Sequence, residues 1–239
     1  MKVFITIVIS SILIILPGCD KNKENKYFQG NIVGFVKLTN EIGNEIDDKS
    51  GVNVSIDGLA NTMTNNNGRF EFKNVPAGTY KLIYDKPGYG SHKRFSYQFI
   101  GGNVPALLDE TTLYELPNIE IQSLDISFKD DRINISGIIS DTRAYRFHVF
   151  FNNSSDVSNL NYDYSFFTSR SSGTITQFSN SIDVFDTPYT KGDKIYLVIY
   201  FYNYHDTGYF DFETEKHIYP SHKKASDVVS LILVSAGQN

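Results

Sequence analysis

The chain has 239 residues, of which 14% are aromatic and 21% are charged, and its formal net charge is −5 at pH 7. A folded chain of this length suits one large β domain or two domains of about 100 residues, and we expect two. A mildly acidic chain without a run of basic residues lacks the positive surface that nucleic-acid binding requires. Nucleic acid is therefore excluded as an expected partner.

The first stretch of the chain is apolar and ends at a cysteine. Met1–Lys2 supplies one basic residue, and Val3–Leu16 follows without a charge. Such a run is shorter than the ~20 residues that a helix needs to cross a bilayer, so it indicates a signal peptide. The sequence Leu16-Pro17-Gly18-Cys19 at its end resembles the bacterial lipobox. That resemblance implies removal of residues 1–18 and acylation of Cys19, which anchors the mature chain to a membrane.

Cysteine usage agrees with this interpretation. Cys19 is the single cysteine of the chain, so no disulfide can form within it. Residues 20–26 are all polar with mixed charge, and they predict a flexible tether within a segment 19–28. We expect a lipid-anchored protein of the cell envelope, in the outer membrane, with the leaflet left open. A plain signal peptide or an uncleaved anchor is the alternative.

Residues 29–122 have the pattern of short strands separated by turns. Val52–Ile56 alternates between apolar and polar residues, and Phe70 and Phe72 alternate with charged ones. Asn65–Gly68 predicts a hairpin, because Asn and Gly tolerate the positive φ of tight turns. We therefore expect a β-sandwich that Ile119–Ile121 completes.

The order of these segments resembles the carboxypeptidase regulatory-like domain. The matching stretches are Gly34–Val36, Gly51–Ile56, Asn67–Phe72, Val75–Leu82 and Gly88–Tyr89. The resemblance implies a transthyretin-like β-sandwich and no activity, because the glycines of the motif set turns and its aromatic residues fill a core. Domains of this family are appended to peptidases, outer-membrane receptors and surface lipoproteins, and some relatives that share the fold bind starch.

Residues 123–239 predict a second β-sandwich. Apolar residues alternate with polar ones in Ile133–Ile139 and Phe147–Phe151, and Ile195–Tyr204 is the most β-prone segment of the chain. No stretch has convincing helical periodicity, and the density of short strands favours a sandwich. Gly192–Leu197 also resembles the approach to a late strand of fibronectin type III-like modules. The predicted fold class is all-β, with two consecutive sandwiches.

Tyrosines dominate one face of the strand predicted at Ile195–Tyr204. That face carries four candidate residues, Tyr196, Tyr200, Tyr202 and Tyr204. Aromatic rings present apolar faces to the C–H groups of a pyranose, so these tyrosines are a candidate glycan platform. Aromatic residues at period two also pack against cross-strand neighbours. The sequence leaves open whether this face is exposed or core.

The next segment alternates acidic residues with Phe210 and Phe212. If it is one continuous strand, a single face presents four oxygen or nitrogen ligands, Asp211, Glu213, Glu215 and His217. Such a set could bind a divalent cation. A charged stripe is also the usual solvated face of a strand, where it discourages edge pairing. The remaining histidines show no spacing typical of a metal site, and we expect no cofactor.

The sequence contains no specific catalytic motif. Ser221–Lys224 fits Ser-x-x-Lys formally, but that motif needs a helix to bring the lysine beside the serine, and here it follows Tyr219-Pro220 between strands. Nucleophile-elbow, phosphate-loop and zincin motifs are absent. The sequence therefore predicts a non-catalytic, membrane-anchored binding or adaptor protein for a protein or glycan partner. A carbohydrate-binding protein for nutrient capture and a hydrolase with a loop-built site are the alternatives.

Overall fold

A computed structural model of the chain describes residues 28–142, 145–170 and 176–234. The predicted signal peptide, Cys19 and nearly all of the predicted tether lie outside the described residues. Within them, no helix has the length and apolarity needed to cross a membrane. The all-β prediction is confirmed, because strands dominate the described chain and one short 3-10 helix, Val184–Asp186, is its helical element.

The first half of the described chain forms two sheets that share one core. Its strands are β1 Gln29–Thr39, β2 Asn53–Ile56, β3 Ala60–Met63, β4 Arg69–Pro76, β5 Gly78–Asp85, β6 His92–Phe99, β7 Ala106–Leu107 and β8 Thr111–Tyr114. One sheet has the order β4-β1-β7 with β8 also paired to β1, and the other has the order β3-β2-β5-β6. Alternate residues of both sheets are buried between them, including Ile32, Val54, Phe70 and Tyr84.

Asn65–Gly68 forms a turn, although it does not close a hairpin. The carboxamide oxygen of Asn65 accepts hydrogen bonds from the backbone N–H groups of Asn67 and Arg69 at 3.1 and 3.0 Å. Gly68 has a φ of 77°, which such a turn requires. The strands on either side, β3 and β4, belong to different sheets. The hairpin prediction is wrong because turn chemistry is local, whereas strand pairing depends on the packing of the whole sandwich.

The second half forms another pair of sheets around a separate core. Its strands are β9 Ile121–Lys129, β10 Arg132–Ile139, β11 Tyr145–Asn152, β12 Tyr164–Arg170, β13 Gln177–Asp183, β14 Lys194–Tyr202, β15 Tyr209–Asp211, β16 Lys216–Ile218, β17 Lys223–Lys224 and β18 Val229–Ile232. One sheet has the order β13-β10-β9, and the other has the order β12-β11-β14-β17 with β18 also paired to β14. The strands β15 and β16 form a hairpin of their own.

Ile119 belongs to the second core. It packs among the buried residues of that core, and Ile121 begins β9, which pairs with β10. The expectation that Ile119–Ile121 completes the first sandwich is therefore wrong, and the second packing unit begins before residue 123. Alternation of apolar residues shows that a strand has a buried face, but it does not show which core receives that face.

Candidate functional site

The segment with the candidate metal ligands is a hairpin, so the expectation of one continuous strand is wrong. Asp211 ends β15, residues 212–215 form the turn, and His217 lies in β16. The turn interrupts the alternation that would place the four side chains on one face. Nowhere in the described ranges do three or more His, Cys, Asp or Glu side chains form a group that could hold a metal ion. His217 Nε2 lies instead 2.9 Å from the carbonyl oxygen of Thr207.

Two of the acids pair with lysines of the first sandwich. Lys93 Nζ lies 3.0 Å from Asp211 Oδ2 and 2.9 Å from Glu213 Oε2. Lys81 Nζ lies 2.6 Å from Glu213 Oε1, and these two lysines lower the pKa of Glu213. Burial acts to raise the pKa of Asp211, but hydrogen bonds from Lys93 and two backbone N–H groups outweigh it, so the pKa is lowered. The cations that these acids bind are thus ammonium groups of the neighbouring sandwich.

Aromatic rings reinforce this contact between the sandwiches. The ring centroid of Tyr209 lies 4.7 Å from that of His92, and Phe212 meets Phe95 edge to face at 5.7 Å. His92 and Phe95 are both in β6. The hairpin of β15 and β16 therefore lies against β6 and fastens the second sandwich to the first through ion pairs and ring contacts.

The tyrosine face of β14 is covered at its centre. Tyr202 is fully buried, Tyr196 and Tyr200 are half-buried, and Tyr204 is 37% exposed. Val157 and Tyr162, from the connection between β11 and β12, pack with this face in a small separate core. The four tyrosines therefore do not form a continuous exposed platform, because chain connections cover the outer face of the sheet, and strand periodicity does not locate such connections.

Four rings pack together on this covered face. They are His148 of β11, Tyr202 of β14, and Tyr219 and His222 of the connection between β16 and β17. Every pair of their ring centroids lies between 4.8 and 6.4 Å apart. We call these four residues the His/Tyr cluster. Sequence reasoning missed it because the two histidines are far apart in the chain and lie in elements of different type.

Four polar atoms of the His/Tyr cluster are buried without partners. Both ring nitrogens of His148, Nε2 of His222 and the hydroxyl of Tyr202 have no hydrogen bond. Burial lowers the pKa of His148 to about 4, and burial together with the neighbouring His148 lowers that of His222 to about 3. Burial raises the pKa of Tyr202 to about 12. The cluster is therefore uncharged near pH 7.

The residues of the formal Ser-x-x-Lys motif do not come together. The buried hydroxyl of Ser221 donates to Asp206 Oδ2 at 2.6 Å, and the backbone N–H of Ser221 donates to the same oxygen at 2.8 Å. Burial raises the pKa of Asp206 despite these bonds. Lys224 is exposed in β17, where it pairs with Tyr200. Ser221 and Asp206 thus tie the end of β14 to the segment that covers it.

Part of this sheet face remains open to solvent at its edge. Phe167 of β12 is 62% exposed, and its ring centroid lies 5.8 Å from that of His148. Arg146 Cζ lies 4.7 Å from the ring centroid of Tyr204. Arg146 and His148 project from the same face of β11, so half-buried Arg146 lies on the same surface as the exposed rings of Phe167 and Tyr204. We call Phe167, Arg146 and Tyr204 the aromatic edge.

The fold and these surfaces define an all-β protein of two sandwiches, and comparison with known proteins assigns a family to part of it. Residues 32–109 match the carboxypeptidase regulatory-like domain, which confirms the resemblance of the first sandwich. No curated protein matches the chain.

Several solved structures are similar to the chain at low identity. A Bacteroides uniformis protein proposed to bind carbohydrate is 14% identical with a TM-score of 0.36, and the match covers 85% of this chain and 98% of that one. A DUF3823 family protein from Bacteroides uniformis is 11% identical with a TM-score of 0.36, over 86% and 100% of the two chains. A DUF3823 family protein from Parabacteroides merdae is 14% identical with a TM-score of 0.32, over 85% and 98%.

Proposed function

We propose that the protein is a non-catalytic lipoprotein of the cell envelope that binds a glycan through the aromatic edge. The observation that carries this proposal is the exposure of two aromatic rings, Phe167 and Tyr204, on one sheet face, with the guanidinium of Arg146 stacked on Tyr204. Lipid on Cys19 holds the protein at the outer membrane, and the polar tether gives it reach.

The chemistry of the aromatic edge suits a sugar. A ring face packs against the C–H groups of a pyranose, while a guanidinium offers five N–H donors to its hydroxyls. Arg146 is itself stacked on Tyr204, so less side-chain freedom is lost when it binds. The edge is an open surface, which suits a polysaccharide chain better than a small ligand that needs enclosure.

The sheet beneath the aromatic edge is rigid, which favours binding by a preformed surface. The strands β11 and β14 pair over seven registered residues and carry buried side chains on both faces. Binding groups on a packed sheet hold their positions better than groups on loops. The nucleophile and the carboxylate nearest to this face, Ser221 and Asp206, hydrogen-bond each other in the interior. They are therefore not available to a substrate, which supports a binding role rather than catalysis.

Glycan arrays on the full chain test the proposal. We expect binding of at least one polysaccharide, and a loss of about two- to tenfold in affinity for Phe167→Ala and for Tyr204→Ala, since an aromatic contact contributes ~0.5–1.5 kcal/mol. The matched control is Phe185→Ala, a ring that is 80% exposed and lies outside the aromatic edge. Turnover of any member of a polysaccharide or peptide panel would contradict the proposal that the protein is non-catalytic. Binding of a protein and of no glycan would contradict the proposal that its ligand is a glycan.

The lipid anchor is tested separately from the ligand. Acyl labelling is expected on the wild-type chain and not on Cys19→Ala, with the variant released from the membrane fraction. Unchanged membrane partitioning of Cys19→Ala would contradict the anchor and leave the glycan experiment unaffected.

A further inference from the structure

One end of the first sandwich exposes large apolar side chains. Phe28 is 76% exposed, Ile100 is 83% exposed and Val104 is 82% exposed. Phe28 immediately precedes β1, while Ile100 and Val104 lie in the connection between β6 and β7. We call these three residues the apolar tip. Apolar side chains that project into solvent from one site typically mark a contact with a membrane or another protein.

The three residues of the apolar tip lie close together because their backbones pack against one another. The N–H of Gly102 donates to the carbonyl oxygen of Gln29 at 3.1 Å. A Cβ on Gly101 would lie 2.8 Å from the carbonyl carbon of Phe28, so only glycine allows this approach. Gly101 also has a φ of 75°, which a larger residue adopts with strain. The connection between β6 and β7 is thereby held beside the start of β1.

The three segments that meet at the apolar tip contain no charged residue. The segments that meet there are Phe28–Val36, Asn74–Tyr80 and Phe95–Leu108, and none contains Asp, Glu, Lys or Arg. Charged residues make up 21% of the chain, so three charge-free segments at one end are a marked local departure from its composition. A charge carried into a bilayer is costly, and these three segments would carry none.

The apolar tip lies close in sequence to Cys19, which favours a membrane as its partner. Residues 20–27 separate Phe28 from Cys19, and an extended chain spans at most ~3.6 Å per residue, so Phe28 lies within about 30 Å of the lipid that we propose on Cys19. We propose that the apolar tip inserts into the outer layer of the bilayer and sets the orientation of the protein on the membrane. This inference rests on the proposed lipid anchor, and it adds a second contact to that anchor.

Insertion of the apolar tip would place the rest of the molecule in a defined direction. Along β5, the chain runs from Gly78, which is paired with Phe99 next to the apolar tip, to Asp85 at the other end of the sandwich. Asp85 is paired with Asn53, and Asn53 is paired with Met63. An exposed side chain at Met63 is therefore remote from the bilayer in this orientation.

A tryptophan reporter tests the insertion, because the chain contains no Trp. The mature chain from Cys19 is coupled through that thiol, the single one in the chain, to phosphatidylcholine vesicles that contain a maleimide lipid and brominated acyl chains. We expect the emission of Val104→Trp to shift to the blue and to lose most of its intensity to the bromine atoms. Ile100→Trp is expected to behave in the same way.

The matched control is Met63→Trp, an exposed apolar position at the other end of the same sandwich. Its emission should remain that of tryptophan in water, with no quenching. Unquenched emission from Val104→Trp and Ile100→Trp would overturn the proposal, and so would equal quenching of all three reporters. Chemical coupling separates this test from acylation in the cell, because a chain that fails acyl labelling still reports on the apolar tip.

Discussion

The hairpin of β15 and β16 and the His/Tyr cluster treat polar side chains in opposite ways. At the hairpin, Asp211 and Glu213 meet Lys93 within 3.0 Å, and every one of these groups is ionised and paired. In the His/Tyr cluster, His148 and Tyr202 are buried with no hydrogen bond to their polar atoms. The same fold thus uses charge to join two sandwiches at a partly solvated seam and excludes charge where a sheet face is covered. The first region should respond to salt, and the second should respond to acid.

The largest expected effect is the loss of a ring from the His/Tyr cluster. Tyr202→Ala should lower the free energy of unfolding by about 3–5 kcal/mol, because it leaves a cavity among packed rings. Tyr202→Phe should be neutral or slightly stabilising, since the hydroxyl that it removes is buried without a partner. Urea denaturation measures both. A small effect of Tyr202→Ala, equal to that of Tyr204→Ala, would show that Tyr202 is exposed in solution.

Acid should weaken the second region first. Burial lowers the pKa of His148 from 6.5 to about 4. Between these values the unfolded chain binds a proton that the folded chain does not, so the free energy of unfolding falls as the pH falls. At about 1.4 kcal/mol per pKa unit, the full loss for His148 is at most about 3 kcal/mol.

The carboxylates of the hairpin stay ionised between pH 6.5 and 5, so the decline in this window comes from the buried histidines. The raised pKa of buried Asp206 acts in the opposite direction, because its carboxyl binds a proton more readily in the folded chain than in the unfolded one. Denaturation curves should show a declining midpoint across this window. In the double variant His148→Phe/His222→Phe, the midpoint should fall much less with pH than in the wild type. The remaining fall is expected from His92, because burial also lowers its pKa to about 4. A midpoint that is constant from pH 6.5 to 5 in the wild type would contradict the burial of these imidazoles.

A smaller effect is expected from packing at the seam between the sandwiches. A Cβ on Gly90 would collide with the backbone of Pro220 and Ser221. Gly90→Ala should therefore cost about 1–3 kcal/mol, as overpacking of a close contact does, and should speed hydrogen exchange in β15. Gly88→Ala is a poor control because its φ is 84°, whereas Ser91→Ala changes a neighbouring residue without adding volume. Equal exchange in Gly90→Ala and Ser91→Ala would show that the seam is loose.

The smallest effect is expected from the ion pairs of the hairpin. Lys93→Met should destabilise the protein by up to about 1 kcal/mol, because partly exposed pairs contribute little, and the difference from wild type should shrink in 1 M salt. Arg94→Met, which removes a pair with Asp109 inside the first sandwich, is the matched control. The Lys93 variant alone should increase hydrogen exchange in β16. A salt-independent difference would mean that the hairpin is held by its rings alone.

The fold was largely predictable from the sequence because alternation of apolar residues and turn chemistry are local. Asn53–Ile56 and Phe70–Phe72 lie in strands with buried alternate residues, as expected. The contacts that determine what the candidate site residues bind are between residues far apart in the chain. Glu213 meets Lys81 over a separation of 132 residues, and no periodicity within either segment carries that information.

The candidate sites were predictable only as residue types. The spacing of the acids in 211–217 is typical of a cation site or of a solvated strand face, and Asp211 and Glu213 pair with lysines of the other sandwich. The tyrosines of β14 predict a binding face or a core face, and the structure buries Tyr202 while leaving Tyr204 partly open. Phe167 was not singled out, because one phenylalanine in a strand carries no signal until the covering connections are known.

The contact between β6 and the hairpin of β15 and β16 also has a consequence for the order of folding during synthesis. The strand β6 is at the end of its sheet, and its partner groups, Asp211 and Glu213, are made more than a hundred residues later. The first sandwich therefore emerges and folds with an open strand edge, which is a template for pairing between chains. The hairpin of β15 and β16 packs against β6 only after the rest of the first sandwich has been made. The edge of β6 is therefore open to pairing with another chain until synthesis has passed residue 218.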